Sequence, residues 1–72
     1  MAELSPAQYD ELEHAITRGQ RIAIYRRGTE YLVIPTRLDS TGRREALEAV
    51  HPTTGEQITL FLDEVDSLEV VR

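Results

Sequence analysis

Apolar residues follow two different rhythms along the chain. Tyr9, Leu12, Ala15 and Ile16 recur at i, i+3, i+6 and i+7, which lines them up on one face of a helix. Ser5 stands before this stripe with Pro6 at the first helical position and Gln8 at capping-box spacing, and Gly19 supplies a left-handed stop after Arg18. The pattern predicts a helix over about 6–18. From Gln20 onward the period falls from about 3.6 to 2, the alternation that a half-buried strand requires.

Five segments then read as strands: about 20–27, 30–38, 44–51, 56–62 and 67–71. Ile22 and Ile24 share one face of the first. In the second, Leu32 and Ile34 oppose Tyr31 and Val33. Leu47 and Ala49 oppose Glu48 and Val50 in the third, and Ile58, Leu60 and Leu62 oppose Gln57, Thr59 and Phe61 in the fourth. Leu68 and Val70 mark the fifth. Arg27-Gly28-Thr29 reads as a hairpin turn, since the glycine accepts positive φ. Asp39 to Gly42 and Pro52 to Gly55 read as a loop and a tight turn. Pro35 donates nothing to a ladder and so marks an edge, a bulge or a strand end. Asp63 to Asp66 breaks the alternation as a short helical turn.

Short strands at roughly ten-residue spacing suggest an antiparallel meander. The expected fold is therefore mainly β (α+β): an N-terminal helix followed by a five-stranded antiparallel SH3/Sm-like small barrel, because closure removes exposed edges. Seventy-two residues make this a single domain, 1–72, with a thin core. The absence of cysteine leaves packing and turns to stabilise it. Met1-Ala2-Glu3 lacks the basic start of a signal peptide, and no apolar run approaches the roughly 18 residues of a membrane span, so a cytoplasmic location is expected.

Charge changes the picture. The net −5 argues against bulk affinity for nucleic acid, but it averages three unlike segments. Residues 1–17 carry −4, residues 18–44 carry +5 and residues 45–72 carry −6. Every cation is an arginine; there is no lysine. Two candidate surfaces follow. Asp10, Glu11 and Glu13 lie on the polar face of the helix, near its positive end, and could present carboxylates to a basic protein partner. Arg21, Arg26, Arg27 and Arg37, with Tyr25, could instead hold single-stranded nucleic acid or a small anion, combining guanidinium groups with an aromatic face. The plain alternative is a set of solvated arginines paired with carboxylates.

No enzyme site is expected. His14 and His51 have no second ligand at metal-binding spacing, Asp63, Glu64 and Asp66 lack the glycine and terminal Glu of a calcium loop, and the glycines are isolated. Ser5, Ser40 and Ser67 sit in cap, turn and strand-start contexts without a nucleophile-elbow pattern. No cofactor is implied.

Two family resemblances cover most of the chain. Tyr9-Asp10-Glu11-Leu12-Glu13 with Ala15, an Ile-rich strand and Leu62-Asp63-Glu64-Val65 resemble the Rho-binding antiterminator family. That likeness implies a helix before an Sm-like barrel and binding to the terminator Rho. Ile24-Tyr25-Arg26, Val33-Ile34-Pro35, Leu47-Glu48-Ala49 and Leu62-Asp63-Glu64-Val65 also resemble WYL domains, Sm-like ligand-sensing modules of bacterial transcription regulators. Here Glu45-Ala46-Leu47 replaces that family's Trp-Tyr-Leu, and Ile58 and Phe61 stand where its ligand-contacting arginines fall. The structural apolar positions match while the ligand chemistry departs. A structural or dimerising unit, joined through the short last strand, is the third expectation.

Overall fold

A computed structural model describes residues 4–40 and 42–71; the Met1–Glu3 start, Thr41 of the predicted loop and Arg72 lie outside them. Helix α1 spans Pro6–Arg18, and strands β1 to β5 span Ile22–Arg26, Thr29–Asp39, Ala46–Val50, Gln57–Phe61 and Ser67–Val70. A 3₁₀ turn covers Leu62–Glu64 between β4 and β5.

The predicted caps are present. Ser5 Oγ accepts from the Gln8 amide at 3.2 Å, and the Gln8 side chain accepts from the Ser5 amide at 2.9 Å. Gly19 ends the helix at φ 65°, ψ 30°. Leu12 and Ala15 are fully buried, with Tyr9 and Ile16 packed at the margin. Leu4 joins the same core one residue ahead of the cap. With Tyr9 at the fourth helical position, this is the spacing of a hydrophobic staple. The apolar stripe of α1 does not include it because Leu4 precedes the helix.

The strands form one antiparallel sheet in the order β4-β3-β2-β1-β5. Its inner face is the core: Ile22, Ile24, Val33, Leu47, Ala49, Leu60 and Leu68, closed by Leu12 and Ala15 from α1 and by Leu62 and Val65 from the 3₁₀ segment. Arg27-Gly28 forms a two-residue hairpin loop with positive φ at both positions, 50° and 78°, which suits the right-handed twist of the flanking strands. The register slips between Pro35 and Arg37, so Pro35 marks a bulge in the middle of β2. Thr36 Oγ1 bonds the Glu48 carbonyl there at 3.0 Å.

The helix and five-stranded antiparallel sheet agree with the expected α+β architecture. The sheet, however, is not closed by a backbone ladder, and β4 and β5 are its two edges. The 3₁₀ segment bridges them instead. The Leu62 amide bonds the Glu45 carbonyl at 2.9 Å, beside β3, and the Asp66 amide bonds the Tyr25 carbonyl at 2.7 Å, on β1. The chain crosses from one edge to the other over the end of the core.

Candidate functional site

The helix presents its charges outward. Asp10, Glu11 and Glu13 are all exposed, and none has an ion-pair partner among the described residues. One expectation needs correcting: no acidic residue lies in the first turn of α1. The field of the helix end fades within that turn, so it does little for these carboxylates. They are held on the surface by the burial of Leu12 and Ala15 on the opposite side. His14 shares their face. Beside it runs a shallow groove lined by Glu11, His14, Arg18, Gln20 and Val70.

The arginine candidates are divided. Arg26 and Arg27, at the tip of the first hairpin, reach toward one carboxylate, Glu64, at 3.6 and 3.8 Å. Arg44 joins them, holding Glu64 at 2.8 Å and gripping Asp63 through two bonds of 3.0 and 2.8 Å. Its guanidinium lies 4.0 Å from the Phe61 ring centroid, and Arg26 lies 5.1 Å from that of Tyr31. Asp66 anchors the same hairpin, accepting the Arg27 amide at 3.1 Å. Arg37 pairs with Asp39 and Glu48, both at 3.3 Å. Tyr25 faces the other side of the sheet from Tyr31 and donates to Glu30 at 3.1 Å. Arg21 is exposed one residue before β1, with no ion pair among the described residues. The fold therefore joins Arg26 with Arg27 and keeps Arg21, Tyr25 and Arg37 apart.

Titration follows this pairing. Hydrogen bonds from Arg44 hold Asp63 and Glu64 below their ordinary values against a smaller opposing effect of desolvation, and those bonds raise Arg44 in turn. For Glu64, the charges of Arg27, Arg44 and Arg26 act in the same direction. The bond to Glu30 raises Tyr25 above the ordinary phenol value.

Sequence reading treated Asp63 to Asp66 only as a short helical turn that lacks the features of a calcium loop. It missed their role as acceptors because the donors come from the first hairpin and the segment before β3, and no local spacing links them. It also missed Glu45, which accepts from the Tyr9 hydroxyl and, at 2.9 Å, from the Ser40 hydroxyl, tying α1 to the approach to β3. Ser5 and Ser40 hydroxyls are thus committed to structural bonds. Among the described residues no group of three or more His, Asp or Glu side chains is gathered for a metal, and no helix is long and apolar enough to cross a membrane.

Compared with protein-family models, curated proteins and solved structures, the chain matches none.

Proposed function

We propose that this chain is a small cytoplasmic, non-enzymatic binding module of bacterial regulation that engages a basic protein through the outer face of α1. One contrast carries the reading. Among the described residues Asp10, Glu11 and Glu13 are exposed and unpaired, whereas Arg26, Arg27, Arg37 and Arg44 have carboxylates near them and only Arg18, Arg21 and Arg43 lack one. The negative field is therefore available to a partner, and much of the positive field is neutralised internally. Such a field steers association and weakens with salt. The resemblance to the Rho-binding antiterminators makes Rho the first partner to try, with a role in transcription termination.

The test is a titration of purified Rho at low and moderate salt with the wild-type chain and with Asp10→Asn/Glu11→Gln/Glu13→Gln. Binding that weakens on raising salt and is lost in the triple variant supports the reading. Equal binding by both chains removes the helix from it. A labelled oligonucleotide serves as the counter-probe: binding tighter than roughly 10 μM with a steep salt dependence would favour the arginine-bearing hairpin instead.

A further inference from the structure

We propose that the outer face of the β5-β1-β2 sheet is a self-association surface, on which a second copy of this chain packs face to face. This inference is independent of the helix-borne reading, and its test involves no other partner. Alternation in β1, β2 and β5 turns Ile22, Ile24, Val33, Leu68 and Val70 inward, leaving Arg21, Ala23, Leu32, Ile34, Glu69 and Val71 on the other side. Leu32 and Val71, 43% and 42% exposed, are the two large apolar side chains left in solvent among the described residues, and both belong to this face. Ile34 and its cross-strand partner Val50 extend it, half-buried and outside the core cluster. Ala23 is only 4% exposed although it too lies outside that cluster. The face is apolar at its centre.

Its charges select the occupant. Arg21, Glu30 and Glu69 share the face; Glu30 accepts from Tyr25, and among the described residues neither Arg21 nor Glu69 has an ion-pair partner. Glu69 lies directly opposite Ala23, two residues beyond Arg21. That sets Arg21 and Glu69 on a diagonal of about 7–8 Å. A basic segment would meet Arg21, and an anion would meet Glu69; a second copy offers each its opposite.

The geometry permits this. Strands lie about 4.8 Å apart and same-face residues about 6.8 Å apart along a strand. On that lattice, a two-fold axis lying in the interface and bisecting the Arg21–Glu69 diagonal runs over Ala23 and Leu32. It stacks Leu32 on Leu32 of the second copy, sets Arg21 over the second copy's Glu69 and Glu69 over its Arg21, and brings Ile34 toward its Tyr25. Such an interface is isologous and closes as a dimer. The apolar rows cover roughly 10 by 14 Å, so the total contact falls below about 1,200 Å², the range of weak association. Because α1 packs on the inner face, a dimer displays both acidic helices and raises avidity for a multivalent partner.

Sedimentation equilibrium of the full chain tests this, with circular dichroism verifying that each variant is folded. The expected result is a monomer–dimer equilibrium with a Kd between about 10 μM and 1 mM. Leu32→Arg weakens it about tenfold or more. Arg21→Glu and Glu69→Arg each weaken it several-fold, and the double exchange Arg21→Glu/Glu69→Arg restores it to within about threefold of wild type. The exchange keeps the question decidable even if Leu32→Arg disturbs the fold. A chain that stays monomeric to about 1 mM overturns the proposal and opens the face to a different partner. A dimer indifferent to Leu32→Arg and Arg21→Glu overturns it in favour of pairing through the β4 or β5 edge, and a double exchange no better than its singles overturns the Arg21–Glu69 contact.

Discussion

Replacing Leu12 with alanine probes how the acidic surface is held in place. Leu12 is fully buried, and with Ala15 it is one of the two buried residues of α1. Removing such a side chain loses its transfer free energy and leaves a cavity, about 3 kcal/mol within a usual range of 2–5. A domain of 72 residues has a total stability of roughly 4–11 kcal/mol at 0.05–0.15 kcal/mol per residue. The substitution therefore removes between about a quarter and most of it. At about 4–8 °C per kcal/mol for a domain of this size, the midpoint of thermal unfolding falls by roughly 12–24 °C. The assay is a far-ultraviolet circular dichroism melt at neutral pH, with Val71→Ala as an exposed control. The control should shift by no more than a few degrees. A fall of less than about 5 °C for Leu12→Ala would instead place α1 outside the cooperative core.

Further predictions rest on other parts of the fold. Gly19→Ala places a side chain at φ 65° and costs about 1 kcal/mol, read as a lower denaturant midpoint at an unchanged slope. Arg27→Asn relieves a bulky side chain at φ 50° in the hairpin loop and raises the melting temperature slightly, because its ion pair with Glu64 is long and exposed; a clear fall would assign that pair more weight than its geometry suggests. Asp63 and Glu64 are depressed in the folded state, so their contribution is present above their ordinary values of 3.8 and 4.5 and is lost as pH falls through the folded ones. Melts across that acid range should show Arg44→Gln losing less stability on acidification than wild type does.

The alternation of apolar residues located every strand to within about two residues, and Ser5, Gln8 and Gly19 marked both ends of α1, because caps and period are local properties of the backbone. Pro35 announced an edge, a bulge or a strand end, because a residue without an amide hydrogen interrupts a ladder, and the register shift shows which of the three it is. The open sheet was less legible. Whether β4 meets β5 depends on the 3₁₀ bridge and on its bonds to Glu45 and Tyr25, which no periodicity encodes. The outward carboxylates of α1 follow directly from the apolar stripe. The division of the arginines does not, since Arg26, Arg27 and Arg44 meet at Glu64 only after the first hairpin, the approach to β3 and the 3₁₀ turn are assembled. Charge sums found the basic segment, but only the fold supplied its counter-ions.

The proposed working surface is the set of exposed carboxylates of Asp10, Glu11 and Glu13 on α1. The most direct measurement compares affinity capture from bacterial lysate at low salt by wild type and by Asp10→Asn/Glu11→Gln/Glu13→Gln. Wild type should retain a basic protein, with Rho the first candidate, and both the triple variant and added salt should release it. Capture of no basic protein, or equal capture by the two chains, would contradict that assignment.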